Sequence, residues 1–254
     1  MRFAYLGSGS QGNCLVVEAG DTRVLLDCGF TLRETVTRLE RLGVHPGSLD
    51  GVVVTHEHAD HVGGVGRLAR KFGIPVWLTH GTLRGSGDAL HGADLRFVEG
   101  YSSFSIDNLY VEPFPVPHDA GEPAQFVFGD GARRLGVLTD TGMATAHIQA
   151  CLSGVDALAL ECNHDLDMLR TSAYPPSLQE RISGRLGHLD NGAAAGLLAS
   201  LDCSSLQHVV AVHLSQKNNT PGLARAALAR VLGCTPHWVA VADQSAGLDW
   251  RQIA

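Results

Sequence analysis

One heptad constrains this chain more than any other feature. After the continuous apolar run Gly51 to Val54 the sequence reads Thr55-His56-Glu57-His58-Ala59-Asp60-His61, placing four potential metal ligands at the end of a strand-length segment. Core packing does not explain such a cluster, because buried polar groups need partners. In an extended segment alternate side chains share a face, so His56, His58 and Asp60 point one way, and His61 opens the following helix beside them. One loop could thus feed two metals. Neutral imidazoles and a carboxylate, with no thiolate, suit Zn²⁺, Mn²⁺ or Fe.

The rest of the composition fits a folded α/β chain. It has 254 residues, 44% of them hydrophobic, 18% charged, with 30 glycines. That is enough for one large domain with a substantial core. No apolar run reaches the roughly 18 residues of a spanning helix, so no membrane segment is expected. The N-terminus meets Gly7 before any secretory apolar region could develop. The six cysteines (Cys14, Cys28, Cys151, Cys162, Cys203, Cys234) form no CxxC pair. Reduced thiols and a cytoplasmic location are therefore expected. A formal charge of −7 gives the surface no overall affinity for nucleic acid. Thirteen histidines are many for a side chain that is the commonest metal ligand.

Short β-rich runs at Arg2 to Leu6, Cys14 to Glu18 and Arg23 to Leu26 predict a meander. Leu32, Val36, Leu39 and Leu42 predict a helix stopped by Gly43, and Val62 to Phe72 predicts another after the heptad. Ile74 to Leu78 reads as a strand, and 95–128 as several short β runs broken by Gly100, Pro113, Pro115 and Pro117. Further strands are predicted at Arg134 to Thr139, Ala157 to Glu161, Val209 to His213 and Val239 to Ala242. Helices are predicted at Ala144 to Leu152, Asn191 to Leu201 and Gly222 to Leu232. This alternation favours a layered α/β sandwich, read as one domain, 1–254, of two halves (about 1–130 and 131–254).

The His-x-His-x-Asp-His heptad after a strand resembles the signature of the metallo-β-lactamase fold, an αββα sandwich of two mixed β-sheets flanked by helices. Other segments match the family in order. Leu25-Leu26-Asp27-Cys28-Gly29 resembles its strand-end Asp, Val116-Pro117-His118-Asp119 its third histidine, Thr139-Asp140-Thr141-Gly142 its bridging carboxylate, and Val212-His213-Leu214-Ser215 its last histidine. The resemblance implies two divalent ions, Zn²⁺ or Mn²⁺. One would take His56, His58 and His118, the other Asp60, His61 and His213, with Asp140 shared; Asp27 would orient a ligand rather than bind a metal. It also implies a hydroxide shared by the ions as nucleophile, with Asp60 counted among the catalytic groups.

Aspartate at position 140, where many β-lactamases present Cys, argues against antibiotic hydrolysis, and the interval from Asp140 to His213 is too short for an inserted nuclease cap domain. Glu161-Cys162-Asn163-His164-Asp165 and Gly187-His188-Leu189-Asp190-Asn191 resemble segments of ribonuclease Z. There a histidine outside the metal shell, held by a glutamate, protonates the leaving oxygen; here these would be His188 and Glu161. The opening Gly7-Ser8-Gly9-Ser10-Gln11-Gly12-Asn13 and the run His213-Leu214-Ser215-Gln216-Lys217-Asn218-Asn219-Thr220-Pro221 are similar to the YycJ/WalJ group, which usually shows Ser where this chain has Asp190. That resemblance implies a phosphodiesterase or nuclease, 5′-to-3′ exonuclease-like on DNA rather than RNA and linked to repair. A thioester or lactone hydrolase is the alternative. His164, Arg185, Lys217 and Asn218 are candidate substrate contacts, with Arg170 and Arg181 as further phosphate-gripping candidates, and Tyr174 is a candidate for stacking on a base.

Overall fold

The structure is a computed structural model that describes residues 1–254. The first sheet opens with β1 (Arg2–Gly7), β2 (Cys14–Ala19) and β3 (Thr22–Leu26), which pair antiparallel. Helix α1 (Leu32–Arg41) follows, started by a capping box in which the Thr31 side chain accepts from the Glu34 N–H and Glu34 accepts from that of Thr31. The chain continues through β4 (Gly51–Val53), α2 (Ala59–Val62), α3 (Val65–Phe72), β5 (Val76–Leu78), α4 (His80–Gly85) and β6 (Leu95–Phe97). Strands β3 to β6 run parallel. The helix predicted from Val62 to Phe72 divides at Gly63 and Gly64.

The second sheet begins with the antiparallel set β7 (Phe104–Ile106), β8 (Leu109–Pro115), β9 (Ala124–Gly129) and β10 (Arg134–Leu138). The parallel strands β11 (Ala157–Glu161), β12 (His208–Val212) and β13 (Ala240–Val241) extend it. Helices α5 (Ala146–Leu152), α6 (Leu166–Arg170), α7 (Pro176–Ile182), α8 (Asn191–Ser200) and α9 (Pro221–Leu232) interrupt them. The final strand, β14 (Leu248–Gln252), returns to the first sheet and pairs antiparallel with β1. The chain passes from one sheet to the other between Phe97 and Phe104. Helices α4, α6 and α7 and strand β14 are additions to the elements predicted from sequence.

Alternation along the strands builds the layers. Phe3, Tyr5, Leu15, Val17 and Val24 of the first sheet meet Val111, Phe126, Phe128, Val137 and Val210 of the second in a common core. Their neighbours Ala4, Leu6, Val16, Leu25 and Val52 point outward to α1 and α3, against Leu39, Val65 and Leu68. On the far side Leu158, Leu160, Val209 and Ala211 pack on Ile148, Leu198 and Leu228 of α5, α8 and α9. Each sheet is therefore buried on both faces, which is why its strands read as continuous apolar runs. This is the expected αββα sandwich. No disulfide forms among the six cysteines, and no helix is long and apolar enough to cross a membrane.

Candidate metal centre

The carboxyl ends of six strands, two from the first sheet and four from the second, open onto one edge of the sandwich. Asp27 follows β3, His56 to His61 follow β4, His118 follows β8, Asp140 follows β10, Glu161 ends β11 and His213 follows β12. Asp27, Asp140 and His213 hold left-handed backbone, with φ of 60°, 49° and 54°. Such conformations are costly for residues other than glycine and persist where the surroundings over-determine them. Close packing fixes the heptad loop as well: a Cβ on Gly29 would sit 1.8 Å from the Asp60 carbonyl oxygen. Asp60 O also accepts from the Asn13 N–H, and Ser8 Oγ accepts from the His213 N–H, so the turn Gly7 to Asn13 braces ligand loops from both sheets.

Each candidate histidine has one ring nitrogen anchored outward and the other turned to a shared centre. His61 Nδ1 donates to Asp27 Oδ2 at 2.8 Å, His118 Nδ1 to Gly187 O at 3.1 Å, His213 Nδ1 to Glu161 Oε1 at 3.1 Å and His58 Nε2 to Asp119 O at 3.2 Å. Asp27 takes the Thr55 N–H and hydroxyl too, and Thr55 Oγ1 lies 3.0 Å from His56 Nδ1. The opposite nitrogen of His56, Nε2, is buried without any partner. A buried polar atom so orphaned calls for an ion. His58 Nδ1 and His118 Nε2 lie 3.3 Å apart, the edge of a tetrahedron whose bonds have the ~2.0–2.1 Å length of zinc–nitrogen ligation. Besides a trio that Asp140 forms with His56 and His61, two trios result, His56/His58/His118 and Asp60/His61/His213. Asp140 lies between them, with Oδ2 3.1 Å from His61 Nε2 and Oδ1 3.9 Å from His118 Nε2. The donor set and its outward anchors fit divalent metal binding.

A further set, Asp140, Glu161, His188 and His213, also lies within ligand distance. Glu161 is spoken for: Oε1 accepts from His188 Nδ1 at 2.8 Å and from His213 Nδ1, and Oε2 accepts the N–H groups of Thr141 and Leu189. With all four lone-pair positions used, it orients rather than ligates. Burial pushes the Glu161 carboxyl up, but the His188 charge and hydrogen bond outweigh this and bring it to about 2. Burial pulls His188 down, and Glu161 more than compensates, holding the imidazole above its ordinary range. Likewise burial lowers His213, while Asp140, Asp60 and Glu161 together raise it to about 10.

A cavity of about 190 Å³ opens over this cluster. His58, Asp60, Asp119, Asp140, His188 and His213 form its floor, and Leu178, Arg181 and Ile182 of α7 form one wall. Of the candidate substrate and phosphate contacts, Arg181 lines it; His164, Arg185, Lys217 and Asn218 do not. His164 and Asn218 are 1% exposed and do not line the cavity; their segments are joined where the Asn218 carbonyl accepts the Asp165 N–H. Arg185 and Lys217 are exposed but also outside the wall; Lys217 Nζ lies over the Tyr174 ring at 5.4 Å, and Arg185 is fixed by its backbone against Gly142. Sequence reasoning gave no role to Asp119, a cavity residue whose only trace in the chain is its place after His118.

Residues 22–214 match the β-lactamase superfamily domain. The chain is 34% identical over 235 residues to exodeoxyribonuclease YycJ of Bacillus anthracis, covering 91% of this chain and 89% of that protein. It is 29% identical over 255 residues to exodeoxyribonuclease WalJ of Streptococcus pneumoniae, covering 98% and 92%. Among solved structures it resembles the metallo-β-lactamase-fold protein YhfI of Bacillus subtilis, with a TM-score of 0.75 at 14% identity over 99% of both chains. The short form of human tRNase Z gives a TM-score of 0.69 at 15% identity, with both chains covered in full.

Proposed function

The chain belongs to the β-lactamase superfamily and is a relative of the YycJ exodeoxyribonuclease, and from that premise we propose that it is a divalent-metal-dependent exonuclease that hydrolyses phosphodiester bonds at DNA ends, working 5′ to 3′. In this reading His56, His58 and His118 hold one ion of Zn²⁺ or Mn²⁺, Asp60, His61 and His213 a second, and Asp140 serves both. When bound, the ions supply an acidified water and positive charge at the phosphoryl oxygens. Despite the net charge of −7, that local charge supports attraction of a polyanion. The unbridged cysteines support a reducing, cytoplasmic setting.

The observation that carries the reading is the His188–Glu161 pair. With Nδ1 committed to Glu161, His188 has Nε2 left for the cavity it lines. As the P–O bond to the leaving strand breaks, that nitrogen gives its proton to the departing oxygen. An alkoxide needs such a donor, whereas a thiolate leaves without one, so the pair disfavours a thioesterase. Asp140 accepts the Thr139 hydroxyl at 2.7 Å and is held in place as the water is consumed.

The test is incubation of metal-loaded protein with 5′- and 3′-labelled single- and double-stranded DNA and RNA. Progressive shortening of DNA from the 5′ end is expected; hydrolysis of thioesters with no attack on any nucleic acid would refute the proposal. Replacing His188 by Ala should lower kcat by roughly 10² or more, the usual loss on removing a general acid, while metal content stays that of the wild type. Full kcat in H188A would remove His188 from the chemistry.

A further inference from the structure

Resting on the phosphodiester reading, the geometry points to Arg181 as the residue that grips a phosphate flanking the scissile one, and to Asp119 as the side chain that positions it. Helix α7 has no buried residue, yet Leu178, Arg181 and Ile182, spaced three and four apart, form one wall of the cavity. Its other side, with Gln179, Glu180 and Ser183, faces a separate groove. Arg181 is therefore placed by its neighbours across the cavity rather than by core packing beneath the helix.

Arg181 Nε donates to Asp119 Oδ2 at 2.7 Å, and the structure gives the guanidinium no other protein partner. Both Nη groups remain for a ligand, and a planar fork held by its Nε is the arrangement that matches two phosphate oxygens. The other carboxylate oxygen of Asp119 lies 3.5 Å from His118 Nε2. Arg181 thus stands one carboxylate away from the metal-facing nitrogen of His118. An exposed Arg–Asp pair by itself is worth little; two further facts give this one a role. Arg181 is the only lysine or arginine lining a cavity whose floor carries three aspartates, Asp60, Asp119 and Asp140. And the cavity, at about 190 Å³, is smaller than the roughly 300 Å³ at which pockets begin to enclose an organic ligand. It houses little more than a phosphodiester, so the rest of a strand must cross the rim where Arg181 stands.

The consequence is a preference for substrates that carry a second phosphate beside the scissile one. Metal-loaded wild type, R181Q, R181K and the control R96Q, whose arginine pairs with Asp94 on the surface away from the cavity, would be compared on a 5′-phosphorylated single-stranded oligonucleotide and on bis(p-nitrophenyl) phosphate. Binding of the labelled oligonucleotide would be read separately by fluorescence anisotropy against salt. For R181Q we expect KM and Kd for the oligonucleotide to rise about tenfold, the salt slope to fall by about one, and kcat to change less than KM. The loss on the single-phosphate diester should be several-fold smaller, and R181K should recover part of the binding. Binding and salt slope equal to those of R96Q would overturn the inference, as would equal losses on both substrates with reduced metal content, the mark of a merely structural role. Wild type that cleaves neither substrate would sink the phosphodiester reading and this inference together; wild type that cleaves both while R181Q follows R96Q would sink the inference alone.

Discussion

Asp27 shows how a single residue can matter to the proposed metal centre without facing it. Its left-handed backbone turns the carboxylate back under the heptad, where Oδ1 takes the Thr55 N–H and Oδ2 takes both the Thr55 hydroxyl and His61 Nδ1. One side chain thus fixes the loop and the ring orientation of His61, and its negative charge raises the basicity of the nitrogen opposite. Replacing such a partner commonly costs 10–100-fold in metal affinity. For D27N that loss is expected in a chelator-competition titration, with the far-UV spectrum retained. Affinity equal to wild type would mean that Thr55 and packing alone orient His61.

At the scale of elements, the antiparallel edge of the first sheet carries its own electrostatic clamp. Glu18 of β2 lies in register with Arg2 of β1 and Arg23 of β3, and its two carboxylate oxygens accept from the two guanidiniums. Burial pushes the Glu18 carboxyl up, and the arginines outweigh it, holding it below its usual range. The clamp is therefore fully present above the unfolded carboxylate pKa and is lost as pH falls through the lower, folded one. E18Q should cost roughly 1 kcal/mol at neutral pH, the scale of such partly exposed pairs, and should flatten the fall of Tm between neutrality and acid pH; an unchanged acid slope would assign it to other carboxylates. The elements legible from sequence were those with a local pattern. β1 to β3 show apolar runs between turns, and the ligand loops each follow a strand within a few residues. Helix α7 was not legible because it is short and buries no residue, leaving only Leu178 and Ile182 as an apolar pair, and β14 was not because its partner β1 lies at the other end of the chain. β8 runs through Pro113 and Pro115, where prolines suggested breaks. The Arg181–Asp119 pair spans 62 positions, a distance across which no spacing rule reaches.

At the scale of the whole molecule, the candidate ligands come from both sheets: Asp60 and His56, His58 and His61 from the β4 end, His118, Asp140 and His213 from the ends of β8, β10 and β12. The common core already joins the sheets through apolar packing, and the proposed metal centre would join them a second time at their open edge. Ions that bind only where both sheets are in place stabilise the folded chain by RT ln(1 + [L]/Kd), about 4 kcal/mol at a thousandfold excess over Kd. For a chain of this size each kcal/mol moves Tm by roughly 2–4 °C, so removing metal with a chelator should lower Tm by about 10 °C, and adding Zn²⁺ or Mn²⁺ should restore it in proportion to the logarithm of free ion. Because the ligands tie both sheets, the shift should move a single calorimetric transition rather than split it. A transition that divides on chelation would mean that the sheets unfold separately once the ions are gone. A Tm indifferent to metal would mean that the inward-facing nitrogens of His56, His58, His61, His118 and His213 converge for some purpose other than holding ions.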